Sequence, residues 1–131
     1  MERPPASSGM RHVAIFVKKL EACEHFYVQL LGMKVEWRPD LNNVYLTSGN
    51  DNLALHRTNE DFTHQLEQRL DHIGFIINNE EEVDQWYDFL SHHQIPTRQP
   101  PRTHRDGARS FYCYDPDGTV VQIIYHPPIS S

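Results

Sequence analysis

The sequence predicts an α+β fold built from two tandem βαβββ modules whose mixed sheets curve around a cavity. Three observations carry this expectation. A strand-like run near the start recurs sixty residues later, each copy is followed by an amphipathic helix, and each half closes with strands separated by turn residues. The run His12-Val13-Ala14-Ile15-Phe16-Val17 maps onto His72-Ile73-Gly74-Phe75-Ile76-Ile77, keeping the histidine and the apolar character. Short, β-branched, nearly continuous apolar runs suit strands covered on both faces.

The helices follow at the same offset. Leu20, Cys23, Tyr27, Leu30 and Leu31 recur at helical spacing and end at Gly32, a favoured residue just past a helix. Val83, Trp86, Tyr87 and Leu90 repeat the pattern, and Val35 and Ile95 open the next strand of each half. Two further strands complete each module. These are NVYLTSG (43–49) and NLALHRT (52–58) around Asn50-Asp51, then ARSFYCY (108–114) and TVVQIIY (119–125) around Asp115-Pro116-Asp117-Gly118. The implied boundaries are a flexible leader at 1–9, a first module at 10–58, a polar linker at 59–69, a second module at 70–127 and a tail at 128–131. A single βαβββ unit leaves one sheet face bare, so two should pack together around a ligand-sized cavity.

Composition narrows the function classes. A chain of 131 residues with 38% hydrophobic and 23% charged side chains reads as one globular domain. Its 18 acidic and 12 basic residues give a net charge of -6, which opposes binding to nucleic acid or to an anionic membrane surface. Cys23 and Cys113 have neither CxxC spacing nor disulfide density, and there is no long apolar stretch. The reducing cytoplasm is the expected compartment.

Nine histidines are many for this length. Strand alternation puts Val13, Ile15 and Val17 on the helix side and His12, Ala14 and Phe16 on the other. The same phase turns His72 and Gly74, Ala54 and His56, and Gln122 and Ile124 toward the cavity. Lone strand histidines are usually hydrogen-bonded core residues, but two at repeat-equivalent positions point to metal ligation by His12 and His72. Gln122 offers a neutral oxygen, a weaker donor than a carboxylate. His56 would complete a three-nitrogen site suited to zinc, nickel, copper or iron, or would line the cavity rim. His25, His92 and His93 on predicted helices, His64 in the linker and His126 after the last strand read as solvated.

Residues 97–109 read as a long loop carrying Arg98, Arg102, Arg105 and Arg109, with His104 among them. Arginine forks suit carboxylate or phosphate, so Arg102 and Arg105 are candidates to steer an anionic ligand to the cavity mouth, against the plainer alternative of solvated ion pairs. Phe16, Tyr45 and Tyr112 are candidate lining for an aromatic or anionic small molecule, or else ordinary packing.

The segments RHVAIFV, HFYVQLLGMKV, LDHIGFII and DPDGTVVQIIY together resemble the vicinal oxygen chelate superfamily, which includes glyoxalase I, fosfomycin- and bleomycin-resistance proteins and extradiol dioxygenases. The resemblance spans about residues 10–127. It implies metal ligands at His12, His72 and Gln122, the last replacing a glutamate, and a divalent cofactor such as zinc, nickel, iron or manganese. It also implies that the further glutamate of glyoxalase I falls at Ala54, which makes isomerase chemistry of that kind unlike this chain unless His56 serves as base. A homodimer is common in the superfamily. The leading expectation is a metal-dependent enzyme acting on a small oxygen-rich, anionic substrate, with His56 and Gln122 in catalytic roles. The alternatives are a metal-free sequestering protein of the bleomycin-resistance type and a dimerising module without a ligand.

Overall fold

The computed structural model describes residues 10–60, 70–127 and 129–130. The leader at 1–9, linker residues 61–69 with His64, and tail residues 128 and 131 lie outside the described residues. The chain divides into two compact units, Met1–Glu60 and Asp61–Ser131.

The first unit runs β1 (His12–Val17), α1 (Leu20–His25), a π-helical turn (Phe26–Leu30), β2 (Lys34–Asp40), β3 (Asn43–Thr47) and β4 (Asn52–Arg57). Its sheet has the order β1-β4-β3-β2, with β1 parallel to β4 and the other pairs antiparallel. The helix departs from the single regular element that the spacing predicts. Its second half widens into a π-turn, and the adjacent aromatics Phe26 and Tyr27 are both buried in edge-to-face contact at 4.9 Å between ring centroids. Burying each such side chain stabilises by about 1.5–3 kcal/mol. Gly32 closes the segment at φ +85°, while Gly32 N–H and Met33 N–H donate to the carbonyls of Val28 and Tyr27. That backbone region favours glycine because it lacks a Cβ.

The second unit runs β5 (Ile73–Ile76), α2 (Glu80–His92), β6 (Arg102–Thr103), β7 (Arg109–Tyr114) and β8 (Val120–Tyr125). Its order β5-β8-β7-β6 repeats the first, again with the first and last strands parallel. The predicted strand opening at Ile95 is corrected here. Ile95 N–H still bonds to the carbonyl of Leu90 at the helix end, and pairing with β7 is limited to a bridge from Thr97 to Cys113 and the two residues of β6. Pro96, Pro100 and Pro101 have no N–H to give a ladder, which explains the interruption. The loop predicted over 97–109 therefore contains a short strand.

Alternation sorts each sheet into two faces. In the first unit Ile15, Val17, Val44, Leu46, Leu53 and Leu55 are buried together with Leu20, Cys23, Phe26 and Tyr27 of the helical segment. In the second, Phe111, Cys113, Val121 and Ile123 are buried with Val83 and Leu90 of α2, and Tyr87 meets Phe111 edge-to-face. Both cysteines are buried and neither forms a disulfide, and burial pushes the Cys113 thiol up to about 12. No helix among the described residues is long and apolar enough to cross a membrane.

An arginine fork fastens helix to sheet in each unit. Arg57 of β4 donates through both terminal nitrogens to Glu21 of α1, and Arg109 of β7 donates to Asp84 of α2 at 3.0 and 2.7 Å. The hydrogen bonds from Arg109 hold the Asp84 carboxyl below its usual range. Because that pKa is lower folded than unfolded, the contribution is complete above the ordinary carboxylate range and is lost as pH falls through the lowered value. Asp84→Asn should therefore cost at most about 1 kcal/mol at neutral pH, since the pair is half exposed. Thermal melts should show the difference from wild type closing as pH is lowered; a gap independent of pH would contradict this account.

Candidate functional site

Each sheet turns its second face away from its helix, and the candidate residues sit there. In the first unit the strand register sets His12 opposite Asn52, Ala14 opposite Ala54 and Phe16 opposite His56, with Tyr45 opposite both Ala54 and Trp37. His56 is thus four residues along the sheet from His12, about 13 Å. The structure does not bring these two imidazoles together. His56 belongs instead to an aromatic row: its ring lies 6.1 Å from Phe16 and 5.9 Å from Tyr45, and Tyr45 stacks on Trp37 at 5.1 Å. Phe16 and Trp37 are 64% and 58% exposed, so the row presents open apolar surface rather than core packing.

Both histidines of this face are held by an asparagine that is itself held by a carboxylate. His12 Nδ1 lies 2.8 Å from Asn52 Oδ1, and Asn52 Nδ2 donates to Glu36 at 3.2 Å. His56 Nδ1 lies 2.6 Å from Asn43 Oδ1, and Asn43 Nδ2 donates to both Asp40 oxygens at 2.9 and 3.1 Å. A carboxylate only accepts, so each asparagine must turn its amide nitrogen toward it and its oxygen toward the imidazole. That oxygen also only accepts. The neutral imidazole therefore carries its proton on Nδ1 and its lone pair on Nε2.

The second unit reaches the same result more directly. His72 Nδ1 lies 2.6 Å from Asp71 Oδ2, leaving Nε2 without a hydrogen bond among the described residues. The His72 ring meets Tyr112 edge-to-face at 5.2 Å. Opposite Gly74 in the register stands Gln122, whose Nε2 donates to Ser110 Oγ and Tyr112 Oη, each at 3.2 Å. A Cβ at Gly74 would stand 3.7 Å from Gln122 Oε1, so the glycine leaves that oxygen uncovered. His104 shares Ser110 through Nε2 at 3.1 Å.

The four arginines of 97–109 divide into three kinds. Arg109 is consumed by Asp84 and by Thr103 Oγ1 at 3.0 Å. Arg102 and Arg105 are exposed and form no ion pair among the described residues; Arg102, opposite Ser110, shares the open face. Arg98, not singled out from the sequence, is the ordered one. Its guanidinium lies over Tyr112 at 5.3 Å and Tyr114 at 5.7 Å, and its Nε donates to Tyr114 Oη at 3.0 Å. That hydrogen bond raises its pKa further, with Asp71 contributing at longer range. The Nη groups of Arg98 make no hydrogen bond among the described residues.

An imidazole whose Nδ1–H is fixed by an oxygen acceptor, leaving Nε2 as the donor atom, is the form that metal-binding histidines take. On that chemistry His12 and His72 fit a divalent ion. Gln122 adds a neutral oxygen and the fully buried Ala54 adds nothing. No group of three or more His, Cys, Asp or Glu side chains is gathered about one point among the described residues.

The sequence matches the profile of the Glyoxalase/Bleomycin resistance protein/Dioxygenase superfamily over residues 9–123. The chain belongs to this superfamily. Similar solved structures include a lactoylglutathione lyase from Agrobacterium tumefaciens, 21% identical at a TM-score of 0.76, the match covering 98% of this chain and 100% of that one. An integron cassette protein from the mobile metagenome of the Halifax Harbour sewage outfall is 22% identical at a TM-score of 0.75, covering 91% and 99%. A glyoxalase family protein from Enterococcus faecalis is 27% identical at a TM-score of 0.70, covering 89% and 97%. No curated protein matches the sequence. At these identities the neighbours establish the glyoxalase fold, and superfamily membership leaves the reaction open because the fold hosts several chemistries.

Proposed function

We propose that this superfamily member is a divalent-metal-dependent enzyme acting on a small, oxygen-rich anionic substrate. His12 and His72 would each give an Nε2 ligand, and Gln122 Oε1 would be a weak third donor or a substrate orienter. The observation that carries this reading is the shared tautomer. In both units the repeat-equivalent histidine commits Nδ1 to an acceptor that is, or is held by, a carboxylate. A bound ion would act as a Lewis acid that polarises substrate oxygen. The chain's own groups do the rest: Arg98, splayed on two tyrosines, presents its remaining N–H donors to a carboxylate, phosphate or phosphonate, and the aromatic row of the first unit supplies apolar contact. Arg102 and Arg105, both exposed, act as a secondary source of positive charge.

A second reading has its own support. Neither position where the superfamily resemblance implies a carboxylate carries one, since Ala54 is buried and the Gln122 amide is engaged by Ser110 and Tyr112. A metal-free binder that sequesters an aromatic or anionic compound would need no more than the tyrosines, Trp37 and Arg98. For either reading two copies are proposed for the working assembly. The β2 edge supports this, with Val35 and Trp37 exposed by 41% and 58%. The two buried thiols, which form no disulfide, are compatible with the cytoplasm as the proposed compartment.

Metal analysis of protein purified without added metal separates the readings. Wild type should hold a divalent ion, His12→Ala and His72→Ala should lose it, and Asn52→Ala or Asp71→Ala should weaken it by about 10- to 100-fold. Gln122→Glu should tighten it. Equal, negligible metal in wild type and all variants would discard the enzyme reading in favour of the binder. Independently, titration with inorganic phosphate should show Arg98→Ala weakened by about tenfold or more, with a smaller effect from the Arg102→Ala/Arg105→Ala double variant. A larger loss in the double variant would move the anion contact back to the loop.

A further inference from the structure

The His56 end of the first sheet is not accounted for by metal binding, because the register holds it about 13 Å along the sheet from His12. Yet it repeats the same three-residue device. Asp40 closes the turn between β2 and β3 by accepting the Asn42 N–H at 2.8 Å, and the same carboxylate takes both bonds from Asn43 Nδ2. Asn43 Oδ1 then receives the His56 Nδ1 proton at 2.6 Å. Among the described residues His56 Nε2 has no hydrogen bond, and no fully buried side-chain nitrogen or oxygen lacks one, so Nε2 is not fully buried. Around it stand Phe16 and Tyr45, with Trp37 stacked beyond.

A polar side chain retained only for stability at a sheet rim needs water, not two successive residues fixing its tautomer. The neutral side chain of a solvated histidine prefers the proton on Nε2; here the relay enforces the other form. We infer that Asp40, Asn43 and His56 form a proton-accepting relay, in which His56 Nε2 takes the proton of an aryl or enolic hydroxyl on a planar ligand lying along the Phe16–Tyr45–Trp37 row. The ligand class follows from the surroundings. A neutral acceptor nitrogen requires a donor, and the flat aromatic surface favours a π-system. In the transfer the ligand O–H bond breaks, an N–H bond forms at Nε2, and the electron pair stays on the ligand oxygen. The imidazolium charge is then faced through the Asn43 amide by Asp40, which itself takes no proton. His56 is the catalytic residue, since it touches the ligand; Asn43 and Asp40 are positioning residues. The relay operates whether or not an ion binds at His12 and His72.

Long-range 1H–15N correlation spectra of the labelled full chain at alkaline pH test this without any turnover, with His56→Gln used to assign the signals. Wild type should show a protonated Nδ1 and a lone-pair Nε2 at His56. Asn43→Leu and Asp40→Asn should move the ring toward the ordinary Nε2–H form, and Asp40→Asn keeps an acceptor for the turn should the larger change disturb β3. Phenol should shift the His56 Nε2 signal and bind about fivefold more tightly than anisole, which has the same ring without the donor. A protonated Nε2 in wild type, a tautomer indifferent to both substitutions, or equal binding of phenol and anisole would each overturn the proposal. The metal analysis of the His12 and His72 variants reads a separate property, so either result can fail alone.

Discussion

A side chain on a strand can face only one of two ways, and everything in this chain is arranged around that limit. The aliphatic half of each strand is spent on the helix, burying Ile15, Val17, Leu53 and Leu55 in the first unit and Val121 and Ile123 in the second. The other half is thereby released from the core. His12, His56, His72 and Gln122 stand where they do because Val13, Leu55, Ile73 and Val121 occupy the neighbouring, opposite phase. A one-residue slip in any strand would exchange the two sets, so the hydrophobic core and the polar face are determined by the same register.

On that released face the deciding chemistry is the one-way nature of carboxylates. Glu36, Asp40 and Asp71 can only accept, and the orientation they impose passes through Asn52 and Asn43, or directly, to three imidazoles. None of these carboxylates touches a ligand position. Their effect is to choose which ring nitrogen carries the lone pair, a choice that adds little stability where the carboxylates are exposed and water could satisfy them. Gln122 is oriented by the same logic from the opposite side, its amide nitrogen drawn to two hydroxyls so that its oxygen faces the space that Gly74 leaves clear.

How much of this was legible beforehand depended on how local the signal was. The duplication, the strand phases and the helix positions follow from apolar periodicity, and the repeat offset aligned equivalent residues in both halves. The π-turn at Phe26–Leu30 was not legible, because burying two adjacent aromatics is a packing solution with no periodic mark. The broken strand after α2 could have been anticipated from Pro96, Pro100 and Pro101. The partners of the histidines lay deeper. Asn43 and Asn52 are the first residues of two predicted strands, and only cross-strand register reveals that one faces His56 and the other His12. The sequence does not distinguish Arg98 from Arg102 and Arg105, because nothing in its neighbours announces that Tyr112 and Tyr114, on a strand more than ten residues away, pack against it.

The distribution of charge then gives the face its character. The protein is acidic by six charges, yet the carboxylates beside these histidines are engaged by asparagine or histidine, and the groups left facing outward are imidazole Nε2 atoms, a neutral amide oxygen, aromatic rings and the Arg98 guanidinium. An anion approaching the bulk of the molecule is repelled, while one reaching Arg98 meets a donor fork already held flat by two rings, so little side-chain freedom remains to be lost on binding. Under the proposed function, glutamate at position 122 would be the stronger cation ligand but would set a full negative charge on the sheet that carries Arg98. Glutamine keeps an oxygen at that place without the charge, and under the same proposal it trades strength of cation binding for the admission of an anionic ligand.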